Sequence, residues 1–504
     1  MARSSLWWFL RKAYRQAVFS ISRRHLLRAG LFAAGLATAG ALHSCTNEPP
    51  KNPEVKETTD DPILIVGAGL AGLTIGYRLW QKQIPFTLIE GSDRVGGRMF
   101  SQSNALGTAQ TTELGGEFIN TGHKNIQTLA QEMGLELVDL DQIDRGLNQE
   151  IWFFDNRKIE FKEVAQAFVP LAKQILKDQE AIGDFSYQKS SPKAQALDRL
   201  SVADYIQKYA RNSFLAELLN VAYTIEYGRD TREQSAFNLI FLLGTGQQEL
   251  QLFGESDERY TIKGGNQQLP QKLAEKISNF IETGTYLESI RQASDGRYQV
   301  SVRKGNSSQQ ITYRRVVLAI PFTILRAIDL QVELPPRKQK AIKELGYGYN
   351  AKLITSYSDR IWRTRYKSNG TVFTDLGWQN TWETGKYAPT QTGLITNYLG
   401  GSKCLALSTN AVQEGKNFVN SFRQIFPEVD KVYQQALLIN WPKLPLTQGS
   451  YSCYLVGQAT QFFGIEGEPV ANLFFAGEHC STEHQGYMEG ACDSAQRVVE
   501  LLTS

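Results

Sequence analysis

The chain is 504 residues long, 42% hydrophobic, with a formal net charge of +3. That length can hold two domains with separate cores, and the ordinary composition excludes collagen-like and low-complexity classes. Residues 1–45 carry basic side chains and no Asp or Glu, so the rest of the chain is mildly acidic and nothing in it suggests nucleic-acid binding.

The first element in chain order is a leader. Ser22-Arg23-Arg24-His25-Leu26-Leu27-Arg28 precedes an apolar run, 29–42, rich in Gly and Ala. The run falls short of the ~20 residues that span a bilayer. A basic segment, a short apolar core and small residues make a signal segment, and the paired arginines point to the Tat export route. The alternative is a basic helix that stays attached. Leu42-His43-Ser44-Cys45 resembles a lipoprotein cleavage box, which leaves lipidation at Cys45 open. The leader thus predicts a protein that is periplasmic, or membrane-associated and facing the periplasm. Residues 46–60 are polar and proline-rich and read as a flexible linker. The later cysteines, Cys404, Cys453, Cys480 and Cys492, form no CxxC and no metal spacing, so packing is their expected role and no metal is expected.

The strongest local signal follows, in residues 61–90. Residues 63–66, Ile-Leu-Ile-Val, suit a buried parallel strand. Gly67-Ala68-Gly69-Leu70-Ala71-Gly72 then has G-x-G-x-x-G spacing and opens an amphipathic helix running to about Gln81. A second apolar run, 86–89, ends at Glu90. Gly67 permits the tight turn, Gly69 lets backbone approach a pyrophosphate, and Gly72 lets helix and strand pack closely. The helix N-terminus offers free N–H groups to phosphates, and Glu90 can accept hydrogen bonds from a ribose diol. Strand, turn, helix, second strand and terminal acid together predict a dinucleotide site. Glu90-Gly91-Ser92-Asp93-Arg94-Val95-Gly96-Gly97-Arg98 continues it with a Gly-Gly-Arg turn that can bring backbone and guanidinium to a second phosphate region.

At this run the sequence resembles the flavin-containing amine oxidase family, of the exported bacterial type. That family comprises monoamine and polyamine oxidases and L-amino-acid oxidases and dehydrogenases. The resemblance extends from about 61 to 500 in separated blocks. It implies that Gly67 to Gly72, Glu90, Gly91, Arg94, Gly97 and Arg98 bind FAD. The block 112–135, beginning Thr-Glu-Leu-Gly-Gly-Glu-Phe, implies that Gly115, Gly116, Glu117 and Phe118 pass the flavin. Residues 286–290 resemble the strand that meets the adenine, through Ile290. The block 471–500 implies that Gly477 and Glu478 hold the ribityl chain. It also sets Gly486, Tyr487, Met488 and Ala491 at a helix N-terminus facing the flavin, whose dipole would stabilise a reduced, anionic ring. Lys352 matches the family lysine that holds a water near flavin N5. Buried there, it would have a lowered pKa and relay protons. Trp441 resembles the tryptophan beside the isoalloxazine, and Tyr451 and Tyr487 the two cage aromatics that flank the substrate amine. Ser450 stands where some members carry a cysteine bonded to FAD, so non-covalent FAD is expected.

The resemblance implies oxidation of a C–N bond by hydride transfer to flavin N5, giving an imine that hydrolyses. Phe118 occupies the place of an arginine that clamps the carboxylate in many L-amino-acid oxidases, although Arg145, Arg157, Arg229 or Arg360 could serve instead. Glu117 and Glu226, with Asp375 and Glu383, are acids able to favour a dication. The leading expectation is a cationic L-amino acid such as arginine, lysine or ornithine. The second is an amine or polyamine, and the third a desaturase or porphyrinogen oxidase on the same fold. A non-catalytic FAD-bound interaction protein is the outside alternative. Oxygen or a membrane quinone would accept the electrons, and the sequence leaves the oligomeric state open. The expected fold is α/β. A Rossmann-like FAD domain, 61–117, 257–345 and 451–504, is interleaved with an α+β substrate domain, 118–256 and 346–450. The spacing of apolar residues predicts a helix over 164–182.

Overall fold

A computed structural model describes residues 62–210, 212–242 and 256–504. The leader, its Cys45 and the linker lie outside the described residues, so the export and lipidation expectations concern a segment with no structural account here.

Four short apolar runs and one edge strand form an all-parallel sheet, in the order Leu473–Phe475, Val316–Leu318, Ile63–Val66, Phe86–Ile89, Ile281–Glu282. Parallel strands are covered on both faces, which is why these runs are apolar at nearly every position rather than alternating. The period of two still decides which core each side chain joins. Ile63 and Ile65 pack with the helices Leu70–Gln81 and Met488–Thr503 on one face. Leu64 and Val66 belong to the core on the other face. That core includes Leu287, Ile290, Tyr298 and Val300, from a four-stranded sheet built of Ser307–Tyr313, Tyr298–Lys304, Thr285–Gln292 and Asp329–Gln331. The structure is the α/β architecture read from the sequence.

A third and larger sheet of seven strands runs Tyr433–Asn440, Asn350–Tyr357, Gly393–Gly400, Asn380–Thr384, Val372–Thr374, Ile151–Phe154, Arg157–Lys158. Its pairs are antiparallel except Val372–Thr374 with Ile151–Phe154. The strand Asn350–Tyr357 is buried at every position. Alternation explains how one strand serves two purposes. Ala351, Leu353 and Tyr357 enter a core with the helix Ala411–Phe422. Ile354 joins Ile439 and Trp441 in a small core on the opposite face, the face that also carries Lys352. Directly across from Lys352 stand Tyr398 on one neighbour and Ile439 on the other.

Five helices are described between 161 and 242, and one of them, Ser213–Tyr227, packs on this seven-stranded sheet. The helix expected over 164–182 is Phe161–Ile182. It starts earlier because Glu160 and Glu163 form a reciprocal capping box that satisfies orphan N–H groups ahead of the first apolar position. No described helix is long and apolar enough to cross a membrane.

Candidate active site

A cavity of about 460 Å³ runs from the tip of the parallel sheet to the Lys352 face of the large sheet. Its near end is the turn after the first strand. Gly67 has φ +103°, and a Cβ there would sit 2.7 Å from Ala319 O. Gly69, Leu70 and Ala71 line the cavity. Gly69 caps the helix with no side-chain hydrogen bond, so the first N–H groups face the cavity without a protein cap. Ala68 lies behind the wall, and its N–H donates to Glu90 Oε2 at 2.8 Å. The other oxygen of Glu90 accepts from Ser92 N and Oγ. Gly72 does not reach the cavity; a Cβ there would lie 2.0 Å from Gly67 O, so this glycine serves helix–strand packing.

Gly91, Arg94, Gly97, Arg98, Gly115 and Gly116 continue the lining. Arg94 lies over the Phe100 ring at 4.2 Å and donates to Gly97 O at 2.7 Å. Arg98 donates to Glu478 Oε1 at 2.8 Å and to Ser450 O at 2.9 Å. Gly477, Glu478, Gly486, Tyr487, Met488 and Ala491 close this side, with the N-terminus of Met488–Thr503 at the cavity. Burial works against the Glu478 charge, but Arg98, His479 and the hydrogen bonds outweigh it and hold the carboxyl below its usual range.

The far end is aromatic. Trp441 is fixed by its Nε1–H on Leu114 O at 2.9 Å. The Tyr451 hydroxyl reaches Glu226 O at 2.7 Å and Ile225 O at 3.2 Å, and lies 3.1 Å from the Tyr398 hydroxyl. Burial drives the pKa of both phenols upward, with the Glu226 charge adding to it. Tyr487 lines the cavity with its ring 5.0 Å from that of His123. Lys352 is buried, and its ammonium donates to Glu113 O at 2.8 Å, Gly115 O at 2.9 Å and Glu117 Oε2 at 2.8 Å. All three N–H bonds of the ammonium are thereby given to protein acceptors.

Several sequence expectations land elsewhere. Ile290 is in the core, opposite Val300; Thr285, Tyr286 and Leu287 line the cavity instead. A β-bulge between Leu287 and Ser289 breaks the strand's alternation just before Ile290. Glu117 and Phe118 are absent from the large cavity. Glu117 joins Lys352 to Thr384, whose hydroxyl donates to Glu117 Oε1 at 2.8 Å, and Phe118 packs on Trp382. Glu226 is buried behind Tyr451 rather than lining the space. Glu383 is engaged by Arg360, Arg363 and Trp362, while Asp375 is exposed. Arg145 and Arg157 are exposed, and Arg229 is spent on Tyr347 O and Glu233. Sequence reasoning missed Tyr398. Its signal is a cross-strand register opposite Lys352, which no local motif encodes.

The residues present fit a dinucleotide flavin. An uncapped helix N-terminus, a carboxylate with its oxygens steered by backbone N–H groups, and a Gly69 position with no atom within 4 Å of a built Cβ form one cradle.

Comparison with known proteins agrees. Residues 70–503 match the family described as flavin containing amine oxidoreductase. A flavin-containing amine oxidase of Oncorhynchus mykiss is 22% identical, covering 86% of this chain and 84% of its own length. An L-amino acid dehydrogenase of Synechocystis sp. is also 22% identical, covering 87% and 94%. The solved structure of cyclohexylamine oxidase from Brevibacterium oxydans superposes with TM-score 0.75 at 19% identity, over 88% of this chain and all of the other.

Proposed function

The chain belongs to the flavin-containing amine oxidoreductases and uses FAD to oxidise CH–NH2 donors, and on that premise we propose that its substrate is a cationic amine without an α-carboxylate. One observation carries this reading. Among the described residues, the substrate end of the cavity is walled by Tyr398, Ile439, Trp441, Tyr451 and Tyr487, and its charged side chain, Lys352, is already paired. The two guanidinium groups that line the cavity are held at Gly97 O and Glu478. No candidate arginine is positioned to clamp a carboxylate. Aromatic faces attract an ammonium by cation–π interaction, and Glu226 behind Tyr451 adds a negative field. FAD supplies the acceptor for the hydride, at N5. The protein's own part is to hold the amine so that its α-C–H faces that acceptor. The Tyr451 and Trp441 rings suit that task because backbone carbonyls fix both polar ends.

The expected cationic L-amino acid stands as the second reading, favoured by the likeness to the Synechocystis L-amino acid dehydrogenase. We further propose non-covalent FAD, since Ser450 donates its hydroxyl to Asn350 Oδ1 at 2.6 Å. Tat export, and oxygen or a membrane quinone as electron acceptor, complete the proposal; support for export rests on the leader sequence alone.

The test is an anaerobic flavin-bleaching screen of the purified yellow protein with primary amines, diamines and the basic L-amino acids. Carboxylate-free amines are expected to bleach it. Faster bleaching by L-arginine, L-lysine or L-ornithine would replace the first reading with the second. Re-oxidation by air against re-oxidation by a quinone then assigns the acceptor.

A further inference from the structure

A second, small cavity lies behind the Lys352–Glu117 pair. It offers about 10 Å³ to the centre of a water molecule, close to the ~10–15 Å³ that one buried water needs. Its polar walls include Glu113, Glu117, Thr384, Lys386 and Tyr387, enough to partner such a water. Lys352 lines the large cavity and Glu117 the small one. The 2.8 Å hydrogen bond between them is therefore the partition.

Oxidising an ammonium substrate leaves a proton to export. The ammonium group loses one N–H proton, and the electron pair of the adjacent C–H bond leaves with its hydrogen as hydride to the flavin. The product is a protonated imine, with a C=N double bond and the positive charge retained on nitrogen. One H+ must go elsewhere. The largely apolar substrate end cannot hold it.

We propose that the Lys352–Glu117 pair and the water-sized cavity behind it form the route by which this proton leaves. The N–H of Lys352 facing Glu117 passes its proton to Oε2. The lone pair left on the neutral amine faces Glu117, so the amine swings about its Cδ–Cε bond, releasing Glu113 O and Gly115 O, to take the substrate's proton from the large cavity. Glu117, now a carboxylic acid, hands its proton to water in the small cavity. Lys352 ends as it began, and one proton has crossed the partition.

The groups around Glu117 suit this. Lys352 and Tyr398 face it from the large sheet, Glu113 from its own segment, and Glu383, Lys386 and Tyr387 from the end of the strand Asn380–Thr384 and the turn after it. Glu383 is neutralised by Arg360 and Arg363, and Lys386 by Asp144. Burial pushes Glu113 up to about 8, against hydrogen bonds from Asn266 N and Ser101 Oγ; the Glu117 charge raises it further and Lys352 lowers it. Near neutral pH Glu117 thus has a protonated carboxyl as its neighbour, not a second negative charge.

The route rests on the reading that the substrate enters as an ammonium ion, so the test has an arm without substrate. Infrared titration of resting holoenzyme should show a carboxyl band with a midpoint near pH 8, assigned by its loss in Glu113→Gln. Glu117→Gln should move that midpoint to lower pH, because a negative neighbour is gone. Under anaerobic stopped flow the same variant should retain FAD, slow flavin reduction roughly 100-fold and lose a limb of the pH profile, with Glu117→Asp restoring much of the rate. An unmoved band, or an unchanged reduction rate and profile, overturns the route. If Glu117→Gln does not hold FAD, Thr384→Val removes the hydrogen bonds to Glu117 Oε1 and Thr112 Oγ1 but leaves the Glu117 charge in place, so it is read by flavin reduction alone: the rate should fall, and an unchanged rate and pH profile are again fatal. If no amine reduces the flavin, the substrate reading fails while the infrared arm still decides the coupling.

Discussion

Glu478 carries four donors on two oxygens: Arg98 Nη1, Ser452 N, Ser452 Oγ and Gly486 N. Three separate stretches of chain meet on this one side chain, so it ties the cavity together as well as lining it. Its pKa is held below the ordinary carboxyl value, and the sign of the linkage follows. The stabilisation is fully present above the unfolded pKa of ~4.3 and is lost as pH falls through the lower folded value. Glu478→Gln should therefore destabilise by about 2 kcal/mol at neutral pH, and the gap from the parent should close on acidification. Chemical-denaturation midpoints between pH 7 and pH 3 measure it; a gap independent of pH would contradict it. At this scale, legibility depended on locality. Glu90 could be named because it ends a short motif with fixed spacing, and Glu478 because the family resemblance covers its Gly-Glu pair. The Lys352–Glu117 pair could not be seen, because the partners are 235 residues apart and nothing near either one announces the other. Glu117 consequently looked like a substrate acid, although its oxygens face Lys352 and Thr384.

The strand–turn–helix at 63–81 separates two uses of glycine. At Gly69 the backbone is ordinary, φ −74° and ψ 178°, and a built Cβ meets no protein atom within 4 Å. At Gly72 the same Cβ would meet Gly67 O at 2.0 Å. Gly69→Ala should leave the melting temperature of the apoprotein nearly unchanged while weakening FAD binding, because the methyl group projects into ligand space. Gly72→Ala should lower apoprotein stability, because helix and strand must separate. Thermal unfolding of apoprotein and FAD titration of both variants check the pair; equal effects on both quantities would contradict the division. The G-x-G-x-x-G spacing made this element readable in outline, since its physics is contained within a few residues. The strand Thr285–Gln292 was readable as a strand but not in its side-chain phase, because one bulge sends Ile290 to the core. Bulges follow from how neighbouring strands twist together, and the strand's own sequence does not announce them.

Across the whole molecule, the cavity is walled by residues from 66 to 491 drawn from the parallel, the four-stranded and the seven-stranded sheets. A ligand in that position binds only the assembled fold. FAD should accordingly stabilise the protein by about 2.7 kcal/mol at a free concentration one hundred times Kd, read as a denaturation midpoint that rises with added FAD. A midpoint indifferent to FAD would count against non-covalent binding. The α/β class was visible from the alternation of apolar runs and helices; the order of the parallel sheet was not, since strand neighbours are chosen by long-range packing. The central pairing carries a kinetic consequence. Val316–Leu318 lies between Ile63–Val66 and Leu473–Phe475, so the middle of the sheet closes only after long loops on both sides have been drawn in. Such closures are entropically slow, and parallel pairings are slower than local hairpins or helices. Helical signal should thus return early during refolding, and yellow colour last, with the chain spending the interval as a helical, colourless, aggregation-exposed species.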